Sequence, residues 1–327
     1  MTMILNDKTQ AGRIIGRVLL IEKSSKYVYN QRTQRIQPYK NKFSSEFLYH
    51  LLNAPLVRNK IIKQSQGNTQ IYVNWSAIKE TEYFVPNLVE QEKLGQMFSK
   101  INDLITLHQR KHEKYTNIKK ALLEKMFPQN GEKIPQIRFK GFTEAWEQCK
   151  LGEVFNFERP DLYMVSNDNY DEVGIPVLTA NKAFILGYKN ETGEYKKGDC
   201  IIFDDFTLDC KYVNFPFKVN SSAIKILKSN DKFDLKFSYY LLKQADILMQ
   251  GHARHYISVV QPTEVFVPNK SEQLKISKVF SMIDHLITLH QRECFLIFNI
   301  NPKGISLLNQ RPYFLVLVLY ANMFFAW

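Results

Sequence analysis

Two stretches of this chain carry apolar residues at heptad spacing, and they are copies of one another. Phe84–Arg110 and Phe266–Arg292 align without a gap, 182 residues apart, and both close on the segment LITLHQR. In the first copy the spacing predicts a seam of Leu94, Met97, Ile101 and Leu104, interrupted at His108 and Lys111 and resumed by Tyr115, Ile118 and Leu122. The second copy offers Ile276, Val279, Ile283 and Leu286. Each copy opens with Pro, then Asn three residues before Glu (Asn87 and Glu90, Asn269 and Glu272), the arrangement of a capping box. Pro128 stops the first helix after Phe127, which gives about 40 residues or roughly 60 Å. Solenoid repeats run about 20–50 residues. A far longer period means a duplicated domain and connector, and two long helices with narrow apolar stripes pack most simply on each other as a coiled coil.

A different pattern fills the rest. Short β-branched and aromatic runs (GIPVLTA, DCIIFDD, YVNFPFKV) are bounded by Gly, Asn and Asp and predict strands. A helix, FSYYLLKQADILMQ from Phe237, has a counterpart from Phe47 at a shift of 190. Gly-led polar turns, QGNTQIYVNWSAI and QGHARHYISVV, each predict a turn entering a strand. The expected division is a first globular region 1–85, a long helix 86–127, a linker 128–145, a second globular region 146–267, a second helix 268–300 and an apolar tail 301–327.

Charge narrows the function. The formal net charge is +12, and residues 1–82 hold 13 Lys and Arg against 5 Asp and Glu. Such a balance favours an anionic partner, most commonly nucleic acid. The cysteines Cys149, Cys200, Cys210 and Cys294 form no CxxC pair, which argues against zinc and fits free thiols in a reducing cytoplasm. The N-terminal residues lack a signal-peptide pattern. The apolar run Tyr313–Trp327 is shorter than the ~20 residues a membrane span requires.

The FVPN…EQ opening of each long helix, the half-repeat, the segment Trp146-Glu-Gln-Cys-Lys-Leu-Gly152 and the Gly-led turns before Ile71 and Ile257 together resemble the specificity subunits of type I restriction–modification systems, over about residues 12–295. That resemblance implies an α+β protein of two target-recognition domains, mixed α/β in character, joined by two long helices that form an antiparallel coiled coil. Each domain would read half of a bipartite double-stranded DNA target. The helices would dock DNA-adenine methyltransferase (modification) subunits, to which restriction and motor subunits attach, all in the cytoplasm. The specificity subunit would be no enzyme and would carry no cofactor or metal, since S-adenosylmethionine, ATP and Mg belong to the partner subunits.

Phosphate contacts need Lys and Arg. The candidates are Arg13, Arg17, Lys23, Lys26, Arg32 and Arg35 in the first domain, and Lys182, Lys189, Lys196, Lys197 and Lys211 in the second. Base reading needs amides, Arg, and aromatic or hydroxyl groups. The polar turns supply Gln66, Asn68, Gln70 and Asn74, and His252, Arg254, His255 and Tyr256. Coiled-coil and partner contacts fall to Glu90, Gln91, Leu94, Ile101 and Leu104, and to Glu272, Gln273, Ile276, Ile283 and Leu286.

Two other readings compete. A stand-alone DNA-binding regulator would dimerise through the helices, whereas pairing within one chain leaves no free seam. A Mg-dependent PD-ExK nuclease would use Asp161, Glu194 and Lys196, two carboxylates for the metal and a Lys for the attacking water. That pattern is short and arises by chance. The chain has no Pro-Pro and no GxxxxGK[ST] loop, which excludes the amino-methyltransferase tetrapeptide and the P-loop. Against the family pattern, the first domain is expected to lack its opening strands. The second helix is expected to end near Pro302, before an aberrant tail.

Overall fold

The computed structural model describes residues 1–298 other than Gln10, Glu22, Ser24, Ser25, Tyr29, Asn130, Lys182 and 249–253; of residues 294–298 it describes the backbone only. The elements in chain order are β1 (Thr2–Ile4), β2 (Asn6–Asp7), β3 (Val18–Leu19), β4 (Thr33–Arg35), α1 (Ser45–Asn53), α2 (Pro55–Ile62), β5 (Ile71–Tyr72), α3 (Trp75–Lys79) and α4 (Leu88–Met126). There follow β6 (Glu147–Lys150), α5 (Leu151–Val154), β7 (Phe155–Glu158), β8 (Ile175–Leu178), β9 (Ile185–Lys189), β10 (Cys200–Asp204), β11 (Cys210–Val213), β12 (Lys218–Val219) and β13 (Ile224–Ser229). The chain continues through α6 (Leu235–Gln244) and β14 (Glu264–Val267) to α7 (Lys270–Phe298). The fold is mixed α/β with two domains, and α4 and α7 pack against each other. The described residues divide into two units, one of residues 1–113 with 288–298, the other of residues 114–287.

In the first unit, β1 lies between β3 and β4, and β2 pairs with β5. Met3, Ile15, Val18, Phe47, Leu51, Val57 and Ile61 form the core. Asn53, buried on α1, exchanges hydrogen bonds of 3.0 Å with both backbone groups of Val18, so helix and sheet are held in register by one amide side chain. Gly95 of α4 lies against α1. A Cβ there would stand 2.9 Å from Phe47 N and 3.0 Å from Glu46 Cβ, so only Gly permits this approach.

The second unit has an antiparallel sheet in the order β11-β10-β13-β7, and three-stranded β12-β8-β9. All of β10 and the first four residues of β13 are buried. Trp146, Phe127, Phe237 and Phe280 meet in one aromatic cluster, with Phe127 and Phe237 stacked at 5.6 Å. This cluster joins the end of α4, the start of α7 and α6 to the opening of the domain. The domain also closes where it opens, because β6 pairs with β14 from Glu147↔Val267 to Lys150↔Glu264. Phe266 of that motif is therefore held in a strand, whereas its repeat equivalent Phe84 is 89% exposed.

The structure corrects three sequence expectations. The run Tyr256–Val260 is a π-helical turn, not a strand. Its β-branched residues suit a strand, but the i+5 bond from Val260 N to His255 O (3.0 Å) and burial of Tyr256 and Val260 hold it as a turn. The α4 seam also runs one residue later than expected at two of its steps. Phe98 and Ile105 are buried, while Met97 and Leu104 are 37% and 46% exposed. Burial of the bulkier Phe98 and the β-branched Ile105 decides between neighbours that are all apolar. Finally, His108 does not interrupt the seam but belongs to it.

Candidate nucleic-acid interface and helix junctions

The repeated Gln of the Glu-Gln pair performs the same work in both units. Gln91 and Gln273 are 1% and 2% exposed. Gln273 Oε1 accepts from Asp234 N (2.9 Å) while its Nε2 donates to Pro268 O (2.8 Å). Gln91 Oε1 accepts from Ser44 N (3.1 Å) while its Nε2 donates to Pro86 O (2.8 Å) and Lys42 O (3.1 Å). Ser44 and Asp234 are the N-cap residues of α1 and α6, and their own side chains accept from Phe47 N and Phe237 N. An N-cap residue's own N–H is bonded by the third helical residue in a capping box. Here a Gln from another helix takes that place, so each long helix is fastened to the globular helix before it. Asn87 and Asn269 cap α4 and α7 as expected, accepting from Glu90 N (2.9 Å) and Glu272 N (3.0 Å). The Glu272 carboxylate, 1% exposed, instead forms a bidentate pair with Arg138 at 2.8 Å.

Along the helices, Ile276 and Ile283 are buried, Phe280 joins them, and Leu94, Ile101 and Leu286 are half-buried. In the first unit His108 Nδ1 lies 3.1 Å from His290 Nδ1. These residues are equivalent in the repeat. In the second unit Lys119 Nζ pairs with Asp284 (2.5 Å), which also accepts from Tyr240 OH (2.5 Å). Higher numbers on α4 thus face lower numbers on α7, and the pair is antiparallel.

Of the basic candidates in the first unit, Arg13, Lys23, Lys26 and Arg35 are exposed, and Arg17 and Arg32 half-buried. Lys23 and Arg35 line a cleft of about 460 Å³ with Lys40, Tyr27 and Gln37. The loop carrying Arg13 and Arg17 is fixed at both ends. Asp7 accepts from Thr9 N (3.0 Å) and Ile14 N (3.2 Å), and these amides hold its carboxyl below the usual carboxylate range. Arg58 donates to Ile15 O (3.0 Å) and to Arg13 O. No sequence pattern pointed to Arg58. Gln66, Asn68, Gln70 and Asn74 are all exposed, with Gln66 bridged to Tyr72 and Asn74 preceding α3.

In the second unit the candidates scatter. Lys182 and His252 lie outside the described residues. Lys189 is 6% exposed, its amine engaged by Asn167 Oδ1 (2.8 Å) and Glu191 (3.5 Å), so it does not face solvent. Lys196 and Lys197 are exposed and paired with Glu194 (3.3 Å) and Glu158 (2.7 Å), and Lys211 is half-buried. His255 and Tyr256 are each 1% exposed and belong to the core, whereas Arg254 is exposed. Asp161 is exposed, in a single turn, Asp161–Tyr163, whose Tyr163 is buried. Among the described residues no three His, Cys, Asp or Glu side chains are grouped to hold a metal ion. Burial pushes the Cys149 and Cys210 thiols up to about 11 and that of Cys200 up to about 12, which leaves them poor nucleophiles. No helix among the described residues is long and apolar enough to cross a membrane.

The family model for the type I restriction modification DNA specificity domain matches residues 8–117 and 143–294. The chain is 41% identical over 155 residues to the type I restriction enzyme EcoR124I/EcoR124II specificity subunit of Escherichia coli, covering 44% of this chain and 38% of that subunit. It is 23% identical over 316 residues to the putative type I restriction enzyme MjaX specificity subunit of Methanocaldococcus jannaschii, covering 90% of this chain and 74% of that one. Among solved structures, the S subunit of the type I restriction–modification system from M. genitalium superposes with a TM-score of 0.68 at 17% identity, covering 98% of this chain and 82% of that one, a likeness of fold.

Proposed function

Because this chain belongs to the family of type I restriction modification DNA specificity domains, we propose that it is the subunit that selects the DNA target of a type I restriction–modification complex. One observation carries the reading: each matched segment is a globular region leading into a long helix, and each is fastened there by the same buried Gln. A duplicated reader on a fixed spacer is what a bipartite target requires. The specificity subunit of such systems is non-catalytic, and S-adenosylmethionine and ATP act in the partner subunits.

DNA affinity in this reading comes from Arg13, Lys23, Lys26 and Arg35 in the first unit and from Lys196, Lys197 and Lys211 in the second, with Gln66, Asn68, Gln70, Asn74 and Arg254 placed to reach base edges. Lys189, His255 and Tyr256 are left out of it, being buried in the domain itself. The modification subunits dock on the long helices, where Met97, Leu104 and Leu107 of α4 and Met282 and Leu289 of α7 stand exposed. We place the complex in the cytoplasm, where free thiols persist. We keep the division expected from sequence as part of this reading, with the readers before α4 and before α7.

The test is co-purification with a modification subunit, followed by retention of labelled duplex DNA at increasing salt. A ternary complex whose affinity falls steeply and linearly on a log–log salt plot supports the reading. A chain that dimerises alone and ignores the modification subunit supports a regulator instead.

A further inference from the structure

The buried ion pair of the second unit has no part in the contacts described so far. Asp205 and Lys225 are 2% and 5% exposed and lie 3.1 Å apart. Burying two charges costs several kcal/mol per ion, and well-packed apolar residues stabilise a core as well or better. The pair is therefore poorly explained by stability, and its other bonds show what it arranges. Asp205 Oδ1 accepts from Tyr256 N (2.7 Å), Asp205 O accepts from His255 N (3.0 Å), and Asp205 N donates to Ala223 O (3.0 Å). One residue thus ties together the end of β10, the start of β13 and the segment 254–256.

Two exposed side chains are carried by the segments so tied. Phe206 follows Asp205 in the turn between β10 and β11 and is 43% exposed. That turn is tight. Asp204 Oδ1 accepts from Phe206 N and Thr207 N, both at 2.9 Å, and Leu208 has φ 61°, alone among the described non-glycine residues. A non-glycine residue in the left-handed region costs of order 1–3 kcal/mol and persists where its surroundings demand it. Arg254 precedes His255, and its guanidinium lies 6.0 Å from the Phe206 ring centroid while Nη2 donates to Ser222 Oγ (3.3 Å). An Arg fork oriented by a hydroxyl and an aromatic face is pre-organised for guanine O6 and N7, and an exposed Phe suits a thymine methyl.

We propose that Phe206 and Arg254 form a base-reading contact of the second unit, and that the Asp205–Lys225 pair is the positioning device that holds them together. This rests on the function proposed above. The test uses the full chain and a pool of randomised synthetic DNA duplexes, from which bound sequences are selected and read. The wild-type chain is expected to enrich a two-part motif. Arg254→Ala and Phe206→Ala each lose preference at one or two base pairs of one part, on the order of 10- to 100-fold, with the other part intact. Arg254→Lys does not restore it, because an ammonium lacks the bidentate fork.

Asp205→Asn loses preference at the same base pairs, and combined with Arg254→Ala it is no worse than Arg254→Ala alone, the sign of coupled residues. If Asp205→Asn fails to fold with Lys225 unpaired, Asp205→Asn with Lys225→Met takes its place. Equal weakening of all sequences by Arg254→Ala, with a salt slope reduced by about 1, makes Arg254 a phosphate contact and overturns the assignment. Additive effects of Asp205→Asn and Arg254→Ala overturn the positioning role. A wild-type chain that enriches no sequence removes the underlying function.

Discussion

Replacing Gln273 by Ala removes one side chain that closes two buried backbone groups. In the folded protein its Oε1 satisfies Asp234 N and its Nε2 satisfies Pro268 O, at 2.9 and 2.8 Å, in a site 2% exposed. Each buried group left without a partner costs about 1–3 kcal/mol. The two together give a loss of about 2–6 kcal/mol, beyond the smaller cost of lost packing. Asn269→Ala is the internal control. It removes a solvent-exposed cap on Glu272 N, which is worth about 1 kcal/mol. Urea denaturation followed by circular dichroism reads both, and an unchanged m value licenses the comparison. Amide exchange localises the effect: the Asp234 amide should lose protection in Gln273→Ala and keep it in Asn269→Ala. Gln91→Ala should behave likewise at Ser44 in the first unit, weakened by the extra bond it loses to Lys42 O. A Gln273→Ala loss no larger than that of Asn269→Ala would refute the clamp.

Other outcomes follow from the same contacts. His50, buried on α1, is pushed down to about 4 by desolvation, so it folds neutral while the unfolded chain binds a proton below about 6.5. Its contribution is full above pH 6.5 and is lost as pH falls toward 4. Stability should decline by up to about 3 kcal/mol across that window, and His50→Leu should flatten the decline in pH-dependent thermal melts. Lys119→Met strands the half-buried Asp284 carboxylate beside Tyr240 and should cost about 1 kcal/mol, measured in 0.1 M salt, with Asp284→Asn in the same chain recovering most of it. Lys23→Gln with Arg35→Gln should reduce the salt slope of DNA binding by about 2 without altering the selected sequence, because each phosphate contact contributes about 0.9.

The duplication was plain in the sequence, and so were the ends of the long helices, since Asn87, Asn269 and Pro128 are local signals. Strands β8, β10 and β12 lie within the β-branched runs that predicted them. The role of Gln91 and Gln273 was hidden, because their partners Ser44 and Asp234 are 47 and 39 residues away. The seam was misphased at Met97 and Leu104 because Phe98 and Ile105 are equally apolar, and only packing ranks them. At the candidate interface, composition pointed to basic residues as a class but could not see burial. Lys189, His255 and Tyr256 look like surface residues until the fold encloses them. Arg58, Asp205 and Phe206 gave no pattern, since each acts through a fold-dependent neighbour.

The central claim is that two domains of one chain read the two halves of a split DNA target. Co-expression of the full chain with a modification subunit, followed by mapping of methylated adenines across the host DNA, tests it most directly. The account predicts methylation at a bipartite motif whose halves are separated by a fixed spacer, with Arg254→Ala relaxing only one half. Methylation at a single continuous motif, or none above the level without this chain, would contradict it.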